Sequence, residues 1–145
     1  MAVAVSTGRF YADLAKSEDA VLVIATWLAD LGKEVYKPPP ANGPDSGDLY
    51  IGKQRIEVKQ RTFDFTDKRY PYGDVMVCEA RRIIEAKPEV YITFNVSKDL
   101  RWAVSTYTKT INKWRIKRQW DHRYERWGYY LHAPFSVCTF HDIRL

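Results

Sequence analysis

The chain has 145 residues and a formal net charge of +5, with 46% hydrophobic and 28% charged residues. This size and composition are typical of one globular domain with a core of its own. No apolar run reaches the roughly 18 residues of a membrane-spanning helix, and the N-terminus lacks the pattern of a secretory signal. Because Cys78 and Cys138 are the only cysteines and have no metal-binding spacing, we expect an intracellular, cytoplasmic chain with reduced thiols.

The spacing of apolar residues and turn-forming residues predicts a mixed α/β fold in the order α-β-β-α-β-β-α-β, with helices on the faces of a mixed sheet. Ser17 can cap the first helix, which Gly32 ends. The predicted elements are a helix over 17–31, strands over 48–51 and 54–60, a helix over 74–86, strands over 90–96 and 101–106, a helix over 109–127 and a strand over 136–140.

The predicted hairpin places acidic and basic side chains on one of its faces. Gly52-Lys53 suits a two-residue type II′ turn, and this turn sets Asp48 directly opposite Glu57, with Cβ atoms about 5 Å apart. Lys59 lies two residues beyond Glu57 and therefore points to the same side. The opposite face is apolar and consists of Leu49, Ile51, Ile56 and Val58.

Two carboxylates held this close repel each other unless a positive charge lies between them. A divalent cation supplies that charge, and oxygen ligands suit Mg²⁺ or Mn²⁺. Such an ion lowers the pKa of a bound water and stabilises the charge that grows on a phosphate. Lys59 beside it could orient the nucleophile or stabilise the transition state.

The pattern D-x(8)-E-V-K across a hairpin, after an acid-bearing helix and before a helix and a strand, resembles the PD-(D/E)xK nuclease superfamily. The resemblance covers roughly residues 17–106 and implies a restriction-endonuclease-like core. It implies that Asp48, Glu57 and the carbonyl of Val58 bind the metal and that Lys59 is the catalytic lysine. In several members, including phage junction-resolving endonucleases, a first-helix glutamate joins the site, and Glu18 resembles that position.

The family's Pro-Asp dipeptide is not found at position 48, where Gly47 precedes the acid. A literal Pro-Asp occurs at residues 44 and 45, but the register places Asp45 opposite Gln60 rather than Glu57, so Asp48 is favoured. A bulge or a longer loop would reverse that choice. Gln60 itself resembles a glutamine common in resolvase-like members, although in a regular strand it faces away from Lys59.

A basic and aromatic region over residues 107–145 follows this core. Between Tyr107 and His132 there are seven lysines and arginines against two acids, which favours a polyanionic partner. The candidate phosphate contacts are Lys113, Arg115, Lys117 and Arg118, with a solvated basic face as the alternative. Weaker candidates for DNA contact are Arg81 and Arg82.

Three aromatic residues of this region have helical spacing, which favours packing in the core, with stacking on unpaired bases as the alternative. They are Trp120, Tyr124 and Trp127. None of the three histidines, His122, His132 and His141, has the spacing of a zinc site.

The sequence therefore predicts a Mg²⁺-dependent endonuclease that cleaves DNA, with a homodimer or larger homo-oligomer expected from the family's small members. The match at Glu18 favours a junction-resolving enzyme, such as a Holliday-junction resolvase, or a phage or mobile-element nuclease. Homing or restriction-type endonucleases, an RNA-processing nuclease and a non-catalytic nucleic-acid-binding module are the alternatives.

Overall fold

The computed structural model describes residues 8–37, 48–86, 91–122 and 124–144, and the side chains of all of these except 8–18, 84–86 and 91. These residues form a mixed α/β structure with few helices and two β-sheets. The elements are α1 (Gly8–Asp30), β1 (Leu49–Ile51), β2 (Gln54–Gln60), β3 (Val75–Glu79), α2 (Ala80–Ala86), β4 (Tyr91–Val96), β5 (Trp102–Tyr107), β6 (Arg115–Asp121), β7 (Arg126–Ala133) and β8 (Cys138–Asp142), with short 3₁₀ helices at Thr108–Lys113 and Phe135–Val137.

The larger sheet has the strand order β1-β2-β4-β5-β8. Strand β2 runs parallel to β4, and the other neighbours are antiparallel. Helix α1 covers one face of this sheet, because its apolar side chains recur at helical spacing. Ile24 and Leu28 of the helix are buried in one cluster with Ile56 and Phe94 of the sheet.

The hairpin register predicted from the sequence is confirmed. Leu49 pairs with Ile56, and Ile51 pairs with Gln54. The turn begins at Gly52 with a φ of +58°, a left-handed conformation that a residue without a Cβ adopts at little cost. Because the register holds, the alternating side chains of β2 reach the faces that the sequence assigned to them.

The helix predicted over 109–127 is wrong. Its first residues form the 3₁₀ helix, and the rest contributes β6 and the start of β7, which pair so that Trp120 lies opposite Trp127. Together with β3, these strands make a three-stranded antiparallel sheet of order β3-β7-β6. β-branched and aromatic residues favour strands, and a neighbouring strand was available to pair with them.

The helix predicted over 74–86 is wrong in its first half. Residues Val75–Glu79 form β3, and the helix begins only at Ala80. Val75 and Val77 are fully buried, and pairing with β7 satisfies the backbone of this segment. Cross-strand pairing therefore overrode the helical spacing of the apolar residues.

Helix α1 begins earlier than predicted, so Ser17 lies inside the helix and does not cap it. Its predicted end is confirmed, because Gly32 has a φ of +85° and its N–H donates to Ala29. Residues 61–73, between the strand predicted over 54–60 and the helix predicted over 74–86, contain no strand. Asp45, the alternative acid, lies outside the described residues.

Candidate active site

Asp48 lies immediately before β1, beside Glu57 of β2. The backbone N–H of Asp48 donates to the carbonyl of Ile56 at 3.0 Å, the residue with which Leu49 pairs, so the regular ladder ends at Leu49 and does not continue to the predicted pair of Asp48 and Glu57. The N–H of Val58 donates to Oδ2 of Asp48 at 2.8 Å. The Asp48 carboxylate is therefore fixed by the backbone of β2, next to the Glu57 side chain.

Glu57 is buried and is neutralised by two arginines. Nη2 and Nε of Arg55 donate to its Oε1 at 3.0 and 3.3 Å, and Nη2 of Arg82 donates to the same oxygen at 2.9 Å. Arg55 is the buried neighbour on the same strand face, whereas the Arg82 side chain, from α2, is 36% exposed. Within the described part of the chain no residue hydrogen-bonds Oε2, so that oxygen is the one left for a further ligand.

The charge state of Glu57 reflects these opposing neighbours. Burial and the nearby Asp48 carboxylate raise the pKa of Glu57, and the guanidinium groups of Arg82 and Arg55 lower it again without cancelling the rise. The net upward shift means that burial, together with the Asp48 carboxylate, disfavours the ionised Glu57 by more than its two arginines recover. A cation placed between the two carboxylates would add to the stabilisation of the ionised form.

Lys59 lies on the same strand face as Glu57, as predicted, and burial lowers the pKa of its ammonium group. The nearby Arg61 lowers it further, while Glu57 opposes the shift. Among the described residues, none forms a hydrogen bond or ion pair with the Lys59 ammonium. Its hydrogen-bonding capacity is therefore left for a bound ligand.

A row of buried polar side chains continues the site across the sheet. Thr93 is the register partner of Glu57, and Asn95 is the partner of Lys59. Nδ2 of Asn95 donates to the carbonyl of Met76 at 3.2 Å. Thr93 Oγ1 and Asn95 Oδ1 are buried without a hydrogen-bond partner among the described residues, which is uncommon for buried polar atoms and calls for an explanation.

Sequence reasoning missed this polar row, although β4 carries its signal. The strand reads Tyr-Ile-Thr-Phe-Asn-Val, in which Thr93 and Asn95 alternate with apolar residues. Because β4 is a central strand, such alternation places polar groups on a covered face. The roles of Arg55 and Arg82 at Glu57 were also missed. Arg55 is two residues from Glu57 in β2, so the alternation of that strand could have indicated the contact. Arg82 reaches Glu57 only because α2 packs beside the hairpin.

The four predicted phosphate contacts do not share one helical face, because they lie at the end of a 3₁₀ helix and along β6. Lys113 and Arg115 are exposed. Lys117 forms an ion pair of 2.6 Å with Asp74. The guanidinium of Arg118 lies 4.5 Å from the centre of the Trp127 ring, on the other face of the strand.

The interpretation of Trp120, Tyr124 and Trp127 as core residues is wrong. All three are exposed, because the segment forms a hairpin rather than a helix. Trp120 and Trp127 contact each other edge to face, with ring centres 5.7 Å apart. Their exposure leaves the alternative prediction, stacking on unpaired bases, open to them.

Of the two remaining candidate residues, Glu18 and Gln60, the structure describes the side chain of Gln60 alone. The Glu18 side chain lies outside the described residues. Gln60 is exposed and its Nε2 donates to the carbonyl of Lys98 at 3.0 Å, so it links β2 to the turn after β4.

The donor set at the hairpin fits a hard divalent cation. Asp48 and Glu57 supply carboxylate oxygens from adjacent strands, and their like charges are held together by the ladder. Across the described ranges no cluster of three or more His, Cys, Asp or Glu side chains has metal-binding geometry. The protein ligands that could serve a cation here are two carboxylates, to which the family resemblance adds the backbone carbonyl of Val58. Such a set would leave room for water or a phosphate oxygen.

No protein-family model matches this chain, and no curated protein shows significant similarity to it. None of the described helices has the length and hydropathy needed to cross a membrane. The function is therefore argued from the geometry of the site.

Proposed function

We propose that this chain is a divalent-metal-dependent endonuclease that hydrolyses phosphodiester bonds in DNA. The observation that carries the proposal is the hairpin pairing of Leu49 with Ile56, which brings the Asp48 carboxylate to the N–H of Val58, beside Glu57. Lys59 lies on the same face of β2 as Glu57. The same residues are the basis of the proposed membership in the PD-(D/E)xK superfamily, with a restriction-endonuclease-like core. The helix α1 and the β1–β2 hairpin, followed by α2 and β4, support that core.

Asp48, Glu57 and the carbonyl of Val58 would hold Mg²⁺ or Mn²⁺. The N–H of Val58 orients the Asp48 carboxylate, so one acid is positioned before any ligand binds. Bound there, the ion supplies a water of lowered pKa and polarises the phosphate. The Glu57 oxygen that no arginine engages is the atom that would meet the ion.

Arg82 and Arg55 stabilise the acidic pair when no cation neutralises it. Arg82 is the more accessible of the two partners, since its side chain is partly exposed on α2, whereas Arg55 is buried. Once the carboxylate charge is balanced by a cation, the Arg82 guanidinium is close enough to bind a phosphate oxygen of the substrate.

Lys59 would donate hydrogen bonds to the scissile phosphate. It forms no competing hydrogen bond with a described residue, and burial strengthens its interaction with a developing negative charge. Because the pKa of its ammonium group is lowered, the group also releases a proton more readily than an exposed lysine.

The basic residues beyond β5 would hold the DNA backbone. Lys113, Arg115 and Arg118 are exposed and can reach phosphates, and Lys117 can do so if it exchanges its partner Asp74. Since a chain of this size offers little surface for long DNA, we propose a homodimer or larger homo-oligomer. The junction-resolving and phage-type enzymes remain the preferred subclass.

A non-catalytic nucleic-acid-binding module is the second candidate. It is favoured by the two arginines on Glu57, which give the acid a complete ion pair without a metal. This candidate predicts salt-sensitive DNA binding without cleavage in any divalent metal.

A cleavage assay distinguishes the two candidates. The chain, a Lys59→Ala variant and a Lys53→Ala control would be mixed with supercoiled, linear, single-stranded and four-way-junction DNA in Mg²⁺, Mn²⁺ or EDTA. Lys53 is the matched control because it lies exposed in the turn of the same hairpin.

We expect cleavage that needs metal, persists in the Lys53 control and falls roughly 100-fold or more in Lys59→Ala, the usual effect of removing a transition-state donor. DNA binding without cleavage in every metal and on every substrate would contradict the nuclease and support the binding module. The preferred substrate would identify the subclass.

A further inference from the structure

A cavity of about 550 Å³ lies beside the end of β2. The loop that follows β2 forms one wall, and strands β6 and β7 form the other. This volume is within the usual range for a small-molecule site, roughly 300–1,000 Å³. The cavity is separate from the carboxylate pair, since neither Asp48 nor Glu57 lines it.

One wall of the cavity is aromatic, and further aromatic rings pack against the side of that wall that faces away from the cavity. Phe63 contacts both Tyr70 and Tyr72 edge to face, with ring centres 5.6 and 5.4 Å away. Tyr70 also packs edge-on against the buried Phe65. Burial raises the pKa of Tyr70 to about 12, so its hydroxyl stays protonated. Tyr72 is 61% exposed and forms the outer ring of this wall.

The opposite wall is a hydrogen-bonded polar network. His132 is buried, and its Nδ1 lies 2.9 Å from Asp74 Oδ1 while its Nε2 lies 2.6 Å from the side-chain oxygen of Gln119. Lys117 donates to the other oxygen of Asp74. The network fixes the Gln119 amide, whose second polar atom hydrogen-bonds no described residue and is left to a ligand.

The charge of the cavity favours an anion. Two cationic side chains line it, Arg61 and Lys117, against one carboxylate, Asp74. Arg118 also borders the cavity, but its guanidinium lies over the Trp127 ring on the other face of β6. Partial burial raises the pKa of Asp74, but hydrogen bonds from Lys117 and His132 outweigh it and leave the pKa below its usual value. Asp74 therefore stays ionised near neutral pH and keeps Lys117 at the cavity.

The cavity adjoins the proposed catalytic lysine. Arg61 comes two residues after Lys59, a distance of about 7 Å along an extended chain. Arg61 Nη2 and Asn95 Nδ2 both donate to the carbonyl of Met76, at 2.7 and 3.2 Å. The two side chains therefore meet at β3. The backbone N–H of Arg61 also donates to the carbonyl of Val96 in β4 at 2.8 Å, one residue beyond Asn95, the register partner of Lys59.

We propose that this cavity binds one unpaired nucleotide of the DNA strand, with its base against Phe63 and Tyr72 and its phosphate at the cationic side chains. Planar rings select a planar base, and the Gln119 amide offers one hydrogen bond to its edge. The cavity is a half-open recess, which a base enters only when it is out of the duplex stack. The inference rests on the proposed nuclease function and deepens it, because it makes DNA with an unpaired nucleotide near the cut the substrate class.

The test measures binding in EDTA, so that it does not depend on cleavage. A duplex with one bulged 2-aminopurine, the same duplex fully paired, and deoxyadenosine monophosphate would be titrated with the chain, with Tyr72→Ala and with Tyr36→Ala. Tyr36 is the matched control, since it is a half-exposed tyrosine with a ring partner, Tyr50, and it does not line the cavity.

We expect the bulged duplex to bind more tightly than the paired one and its 2-aminopurine fluorescence to change on binding. Tyr72→Ala should weaken binding of the bulged duplex roughly 5- to 100-fold, the usual effect of losing one stacked ring, and leave the paired duplex and the Tyr36 control unchanged.

Equal affinity for bulged and paired DNA, or an equal loss on both in Tyr72→Ala, would overturn the inference. Tyr72-dependent binding of the free mononucleotide as tight as that of the bulged duplex would overturn it too, by assigning the cavity to a free nucleotide. If the chain cuts DNA but shows no Tyr72-dependent preference for bulged over paired DNA, the nucleotide-binding inference is wrong and the nuclease proposal is unaffected. If the preference is seen but no DNA is cut in any metal, the nucleotide-binding inference is supported and the nuclease proposal is wrong.

Discussion

The two faces of the five-stranded sheet are both covered, yet along β2 and β4 they are built from opposite kinds of side chain. On the face under α1, Ile56 and Phe94 pack with Ile24 in an apolar cluster. On the other face, Glu57 and Thr93, which adjoin Ile56 and Phe94 in these strands, are also buried. Since successive residues of a strand point to opposite faces, β2 and β4 supply both surfaces at once.

The difference between the two faces shows which of them lowers the stability of the fold. Burying apolar surface is favourable at about 25 cal/mol per Å², whereas burying a polar group without a partner costs roughly 1–3 kcal/mol. Thr93 Oγ1 and Asn95 Oδ1 are buried without a partner among the described residues. A face that lowers stability in this way is best explained by what it binds, whereas the face under α1 is explained by packing alone.

The largest expected effect is on the apolar face. Ile56→Ala should lower the free energy of unfolding by about 2–5 kcal/mol, because Ile56 is fully buried under α1 and its truncation leaves a cavity. Urea denaturation followed by circular dichroism measures the change. Ile116→Ala is the matched control, and it should change stability by less than about 0.5 kcal/mol, since Ile116 is 62% exposed on β6. Equal effects of the two variants would contradict the assignment of the core.

A smaller loss of stability is expected when the buried ion pair on the polar face is broken. Arg55→Met should lower the free energy of unfolding by about 1.5–3 kcal/mol, the usual contribution of hydrogen bonds to a charged group. Arg82 still neutralises Glu57 in this variant, so the loss should stay below that of an uncompensated buried charge. The same denaturation experiment measures it.

The control for Arg55 is a pair of the same chemistry at the surface. Arg126 binds Glu79 at 3.4 Å, with both side chains partly exposed, so Arg126→Met should lose no more than about 1 kcal/mol. If the two arginine variants were equally destabilising, burial of the Arg55–Glu57 pair would not matter in solution.

The sequence was most informative where local chemistry decides the structure. A two-residue turn at Gly52 sets the register of its hairpin, so the pairing of β1 with β2 could be predicted and was confirmed. Glu57 and Lys59 share one face of β2 as a result, and Asp48 lies just before the first paired residue, Leu49. The end of α1 at Gly32 follows from the same kind of local preference.

The sequence was least informative where distant segments meet. His132 and Asp74 are 58 positions apart, and no spacing rule brings them together. The pair Trp120 and Trp127 shows a second reason, since residues seven apart share a helix face but also meet across a hairpin with a short connection. Only the presence of β3 as a pairing partner decided between those structures.

The smallest expected change in the free energy of unfolding, and one of opposite sign, comes from replacing Lys59. Its pKa is lowered in the folded chain by burial, so between the folded and unfolded pKa values the unfolded state binds more protons. The contribution of Lys59 to the free energy of unfolding therefore rises with pH in that interval. Below the folded pKa the full penalty for burying the charged ammonium group is present. That penalty disappears as the pH rises through the pKa of lysine in the unfolded chain, about 10.4.

Lys59→Met removes this penalty and keeps most of the side-chain volume. At pH 7 the variant should be at least as stable as the natural chain, and its advantage should shrink as pH rises from 7 toward 10, which urea denaturation across that range measures. Lys53→Met, in the exposed turn, should show neither the gain nor the pH dependence. Two outcomes would contradict this prediction: Lys59→Met less stable than the natural chain at pH 7, or a stability difference between the two chains that does not change with pH. Either would mean that the folded structure stabilises the ammonium group of Lys59. The polar face would then be a structural ion network, and its cost would no longer argue for a ligand.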